Sequence, residues 1–164
     1  MTTPFTIRPA RDDDRDALVE QFQGLNQHED LIVHNRRTDR AAGEESLVAA
    51  EVKVVEKNGV RLVAERDGKV VGHLFLTFEQ APIFVRREVR DYAYIAELFV
   101  REEARGLGIG RGLMQEAERI ALARGVGHLM LGVLTGNESA ERAYARFGFR
   151  SYATDLIKPI RKTP

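Results

Sequence analysis

The sequence predicts an α/β fold with a central mixed β-sheet and helices on both of its faces. Three observations predict it. Strand and helix periodicities follow one another in the order β-α-α-β-β-β-α-β-α-β. Residues 92–100, a helical stripe beginning at 109, and residues 128–134 read as strand, helix and strand, a βαβ unit whose two strands run parallel. The chain of 164 residues is 43% hydrophobic and has no linker, repeat or low-complexity tract. That suits one compact domain over 1–164 with its own core.

Each element has a local reason. Residues 5–8 read as a strand ended by Pro9. Asp12, Asp13 and Asp14 offer cap acceptors and negative charge at a helix start. Leu18, Phe22 and Leu25 then carry that helix to about Asn26. Residues 27–43 are too mixed to assign. Residues 44–56 read as a second helix with Leu47, Val48, Val52 and Val55 on one face, closed by Asn58-Gly59. Residues 60–65 and 69–78 are strands joined at Asp67-Gly68, a pair that tolerates positive φ in a tight hairpin. Gly72 is expected to mark a bulge in the second of them. Residues 81–91 form a charged loop before the strand 92–100. Ile109, Leu113, Ala117, Ile120 and Ala121 make the apolar stripe of the next helix, which Gly125 ends. Residues 128–134 are nearly all apolar, as in a strand buried on both faces. Residues 137–147 form a short helix closed by Gly148 and Phe149, and 151–158 read as a last strand.

Bulk properties narrow the function. Twenty-five basic and 25 acidic residues give zero formal net charge, against a dedicated nucleic-acid surface. No apolar run approaches a membrane span, and the first residues lack a signal peptide's apolar core, so a cytoplasmic protein is expected. There is no cysteine, hence no disulfide and no acyl-cysteine intermediate. The four histidines, His28, His34, His73 and His128, show no ligand spacing, and no metal site is expected.

The chemistry concentrates at Arg105-Gly106-Leu107-Gly108-Ile109-Gly110-Arg111-Gly112, between a strand and an amphipathic helix. Alternate glycines strip side chains from the backbone so that its N–H groups can close on an anion, usually a phosphate. The helix behind adds roughly half an elementary positive charge. The strict P-loop spacing fails, because the positions five beyond Gly106 and Gly108 are Arg111 and Leu113. The same two residues break the dinucleotide pattern, and 128–134 contains no acid to hold a ribose.

Arg105, Gly108 and Gly110 fit Arg-x-x-Gly-x-Gly, which resembles the acyl-CoA loop of the GCN5-related N-acetyltransferases, the GNAT family. YIAELFVREEARGLGIGRGLM resembles that family's strand-loop-helix core. GVLTGNESAERAYARFGF, at 132–149, resembles its second signature. The two motifs span about 94–149, and the order of elements is also that of the family.

The resemblance implies an acetyltransferase that uses acetyl-CoA as cosubstrate. By it, Arg105, Gly106, Leu107, Gly108, Ile109 and Gly110 cradle the pyrophosphate, and Arg111 either reaches a phosphate or is solvated. The main chain of Leu98, Phe99 and Val100 pairs with the pantetheine arm where strands 4 and 5 splay. A main-chain N–H near Val100 meets the oxyanion. Asn137 binds the cofactor, and Tyr144, on the same helix face, protonates the departing thiolate and contacts the cofactor. Strand alternation puts Glu97 opposite the side chains of Leu98 and Val100. Glu97 is the candidate base. Where polyamine acetyltransferases often read Ile-Glu-Asp, this chain reads Ile95-Ala96-Glu97, so a water chain or an ion-pairing Glu97 remains open.

The expected partners are acetyl-CoA and a primary amine of unidentified class, shaped by residues 27–45 and 81–91, with no nucleic acid and no membrane. A homodimer is an open option. The alternative is a non-catalytic acyl-CoA-binding sensor on the same fold.

Overall fold

A computed structural model describes residues 4–160. Its strands are β1 (Thr6–Pro9), β2 (Val60–Arg66), β3 (Lys69–Gln80), β4 (Asp91–Val100) and β5 (Leu129–Leu131). Its helices are α1 (Arg15–Val33), α2 (Arg40–Glu56), α3 (Ile109–Ala123) and α4 (Glu138–Phe147). The strands lie in the order β1-β2-β3-β4-β5, with β4 and β5 parallel and the other neighbours antiparallel. The sheet is therefore mixed, with the βαβ unit where the sequence predicts it.

Two cores share the sheet. Leu18, Val19 and Phe22 of α1 and Leu47, Ala50 and Val54 of α2 pack on Val63, Val70 and Phe75. On the other face Ile109, Leu113, Met114, Ala117 and Ala121 of α3 pack on Leu62, Leu74, Leu76, Ala93 and Ile95. The β2–β3 hairpin turns at Asp67 and Gly68, both at positive φ (52° and 72°), as the Asp-Gly pair predicts.

Five expectations are corrected. α1 continues to Val33, because its second half borders a cleft and needs no apolar stripe there. α2 begins at Arg40, with the Asp39 side chain accepting from the Ala42 N–H at 2.9 Å. The buried face of α2 is Leu47, Ala50 and Val54, whereas Val48, Val52 and Val55 are exposed. At Gly43, also on the buried face, α1 lies close: a Cβ there would come within 2.9 Å of the Val19 carbonyl oxygen. β5 is shorter than 128–134, and its residues are only half-buried. The last strand, expected at 151–158, does not form; residues 151–160 are exposed and irregular.

Two bulges shape the sheet. Val71, beside Gly72, is the extra residue where Ala64 pairs with Gly72 and Glu65 with Val70. Ala96 is the extra residue where Phe75 pairs with Glu97 and Leu76 with Ile95. The second bulge puts Ile95 and Leu98 on the α3 face together, and Glu97 with Phe75 on the α1 and α2 face.

Candidate active site

At the Ala96 bulge β4 leaves β5. The parallel pairing ends at Ile95 with Leu131, while β4 stays paired with β3 as far as Val100 with Gly72. A cleft of about 580 Å³ opens between the parted strands. The Arg101 N–H donates to the Val71 carbonyl, toward β3. Amide directions alternate along a strand, so the N–H groups of Val100 and Leu98 point to the open side. The Val100 carbonyl does the same and accepts from Arg105 Nε at 3.2 Å.

The glycine loop closes one end of the cleft. Gly106 and Gly108 hold φ of 77° and 83°, which side chains rarely adopt, and an added Cβ there meets nothing. At Gly110 an added Cβ would find only Val100 Cγ2, at 3.7 Å. The first bond of α3 runs from the Gly112 N–H to the Gly108 carbonyl, so Ile109, Gly110 and Arg111 have N–H groups with no helical partner. The result is an open backbone concavity at a helix N-terminus, suited to a phosphate. Arg111 borders the cleft and forms no ion pair among the described residues. Gly112 has a different role from its neighbours. A Cβ there would press on Phe5 and Ile7 at 3.0 Å, so this glycine lets α3 lie on β1.

Arg105, Gly106, Gly108, Ile109, Gly110 and Arg111 border the cleft, as do Glu97, Leu98, Phe99, Val100, Asn137 and Tyr144. Leu107 does not; its side chain packs on the α3 core. No residue of 81–91 reaches the cleft, which corrects that part of the expected acceptor pocket. Leu25 of α1, read from the sequence only as part of an apolar stripe, and Arg146 of α4 also border it, as do His28 and Glu29 of α1. His28 and Glu29 fall in the stretch 27–45 expected to shape an acceptor pocket.

Two titratable groups face each other's surroundings here. Burial drives the Glu97 carboxyl up to about 7, the nearby Glu29 carboxylate adds to that, and Lys53 opposes it. The Glu97 carboxyl has no hydrogen-bond partner among the described residues. Burial also raises the Tyr144 phenol above its ordinary value, again helped by Glu29. Glu29 itself is held by Arg36 at 2.7 Å. Asn137 caps α4, its side-chain oxygen accepting from the Ala140 N–H at 3.4 Å, and shares the cleft-facing side of the helix with Tyr144. Gly148, at φ 114°, ends α4, and Phe149 folds back edge-on to Tyr144 with centroids 6.0 Å apart.

The acetyltransferase (GNAT) family model matches residues 16–149. This chain belongs to the GNAT family. It is similar to an uncharacterized N-acetyltransferase of Archaeoglobus fulgidus, 36% identical over 85% of this chain and 88% of that protein. It is also similar to the phosphinothricin N-acetyltransferase of Alcaligenes faecalis, 32% identical over 66% of this chain and 51% of that protein. Among solved structures, a predicted acetyltransferase with acetyl-CoA from Clostridium acetobutylicum shares the fold, with a TM-score of 0.70 at 18% identity over 95% of this chain and 96% of that one. The chain is thus an acyltransferase of a family that uses acetyl-CoA, with the mixed sheet of that family.

Proposed function

We propose that this GNAT protein transfers the acetyl group of acetyl-CoA directly to a primary amine within a ternary complex. The observation that carries the reading is the single cleft joining the glycine loop, the unpaired β4 edge, Glu97 and Tyr144. The residues present suit the cosubstrate. The loop from Arg105 to Arg111 offers free amides to a pyrophosphate, and the open edge of Leu98 and Val100 offers amides to an extended arm, as an added strand would.

In this reading Glu97 takes a proton from the amine, whose nitrogen forms the new bond to the acetyl carbon. The bond from that carbon to sulfur breaks, and the Tyr144 hydroxyl gives its proton to the leaving thiolate. The cleft-facing N–H of Val100 donates to the oxygen on which negative charge develops. A carboxyl near 7 is a suitable base at neutral pH, and a phenol raised by burial stays protonated until needed. With no cysteine in the chain, direct transfer requires no acyl-thiol step.

Glu29 and Glu97 give the acceptor end a negative character that favours a cationic amine, despite the Arg36 partner of Glu29. The test is a panel of cationic small amines, amino acids and lysine or N-terminal peptides, read by release of free thiol. Acetyl-dependent thiol release with intersecting double-reciprocal lines is expected. Release no faster than hydrolysis across the panel would favour a binding sensor. Parallel lines with an acetylated protein detected by mass would overturn direct transfer.

A further inference from the structure

The cleft passes between the parted strands, so it has two sides. The glycine loop and Tyr144 stand on the α3 side, where the reading above places the cosubstrate. The α1 side then receives the acceptor, an assignment that rests on that reading. Leu25, His28 and Glu29 line it from α1. Glu97 and Phe99 line it from β4, where side chains two positions apart share a face.

Phe99 is the outer ring of a stack rooted in the core. The His73 ring lies 4.7 Å from Phe22 at 6°, and 6.1 Å from Phe99 at 26°. His73 Nδ1–H donates to Gln21 Oε1 at 2.9 Å, and Gln21 Nε2 donates to the Val70 carbonyl at 2.9 Å, which fixes the imidazole plane. Burial drives His73 down to about 3, so the ring stays neutral and presents an aromatic face. Gly24 completes the seat, since a Cβ there would come within 3.0 Å of Phe99 Cζ. Gln21 and His73 are both buried and take no part in the transfer; what they hold is a half-buried ring at the cleft wall. The charges on this side suit one cation. Its two carboxyls are Glu29 and Glu97, and Arg36 already holds Glu29 at 2.7 Å. Lys53 acts on Glu97 only from outside the cleft. The arginines that border the cleft, Arg105, Arg111 and Arg146, belong to the glycine loop, α3 and α4, so no Lys or Arg stands here to take a carboxylate.

We propose that the acceptor is an arylalkyl amine with a single positive charge: its ring lies on Phe99 and Leu25, and its amine reaches Glu97. Phe99 is then a specificity-determining residue, and His73 and Gln21 are positioning residues that act through it. Phe99 and Glu97 are about 7 Å apart along one strand face, a separation that a two-carbon linker from ring to nitrogen spans. A ring laid on Phe99 extends the stack and leaves water. A second ammonium would lie against Phe99 and Leu25 without a carboxylate of its own, and the carboxylate of an amino acid would lie beside Glu29 and Glu97.

The chain contains no tryptophan, so tryptamine reports its own binding by indole fluorescence. With coenzyme A present, a saturable blue shift is expected, reversed by phenethylamine and not by ethanolamine or spermidine. By thiol release, kcat/KM for phenethylamine should exceed that for ethanolamine by at least about 100-fold. In Phe99→Ala that ratio should fall at least about tenfold. Both amines meet the same enzyme, so the ratio cancels any change in acetyl-CoA binding. Leu25→Ala, a milder change on α1, should lower the ratio in the same direction. His73→Ala should raise KM for phenethylamine with kcat kept and KM for ethanolamine unchanged, which a general loss of structure would not do. Equal rates with ethanolamine, faster release with spermidine or a lysine peptide, or an unchanged ratio in both Phe99→Ala and Leu25→Ala would overturn the proposal and leave acetyl transfer standing. Tryptamine bound without thiol release from any amine would overturn acetyl transfer and leave the aromatic subsite standing. Neither binding nor release would overturn both.

Discussion

β4 meets its two neighbours on different terms. Toward β3 it is paired along its whole length, from Gln80 with Asp91 to Gly72 with Val100, over the fully buried Leu74, Phe75 and Leu76. Toward β5 only Ala93, Tyr94 and Ile95 are paired, beside half-buried residues and a helix, α4, that buries no residue fully. The paired side supplies stability. The open side supplies unsatisfied amides and room for a ligand, and it gives up packing to do so. The Ala96 bulge divides the two regimes within one strand.

The largest effect that would sharpen this contrast is expected at Gly110→Val. The new Cβ fits the protein, with Val100 Cγ2 at 3.7 Å, but its branches fill the space over the free amides. Losing two hydrogen bonds to a charged phosphate at about 1.5–3 kcal/mol each implies a fall in acetyl-CoA affinity of ~10²–10⁴-fold. Calorimetry should show this with an unchanged melting curve; unchanged affinity would remove the cradle assignment.

Glu97→Gln probes the open side chemically. If Glu97 is the base, the wild-type rate should climb as pH rises through about 7, where the carboxyl loses its proton. The variant should lose that rise and about 10²-fold in kcat. Stability has the opposite sign. A carboxyl raised above its unfolded value favours the folded state below that value, and this contribution is lost as pH rises through about 7. The variant should therefore gain stability over the wild type at pH 8 but not at pH 4, in urea melts. A parallel pH–rate profile in both proteins would leave water as the base.

Truncation compares the two sides directly. Leu74→Ala, fully buried on the β3 side, should cost about 3 kcal/mol by urea unfolding, whereas half-buried Leu131→Ala on β5 should cost about 1 kcal/mol. Equal costs would show that the cleft wall is as tightly held as the core. The smallest effect is expected at Tyr144→Phe. A coenzyme thiolate already leaves readily, so kcat should fall about tenfold with acetyl-CoA affinity kept. An unchanged kcat with a good acceptor would show that water protonates the thiol.

Much of this architecture is legible in the sequence because its signals are local. Asp67-Gly68 specifies its turn through positive φ at both residues, Gly148 and Phe149 specify the end of α4, and the stripe from Ile109 to Ala121 specifies the face of α3. The glycines at 106 and 108 announce an anion loop because side chains rarely adopt their backbone conformation. Other features depend on partners distant in sequence. Which face of α2 is buried depends on where α1 and the sheet lie, so Leu47, Ala50 and Val54 are buried and Val48, Val52 and Val55 are not. Gly112 looks like a fourth loop glycine, yet Phe5 and Ile7 decide its role. His28 and Glu29 reach the cleft only because α1 passes over it. The apolar runs 128–134 and 151–158 have strand patterns, but a strand also needs a neighbour to accept its hydrogen bonds, and a single sequence pattern does not say where that neighbour is. Local backbone preference and periodicity determined the Asp67-Gly68 turn, the end of α4, the glycine loop and the apolar face of α3, and the resemblance of two motifs carried the family. The tertiary structure decided which residues line the site, because lining is a matter of distance between elements rather than of spacing within one.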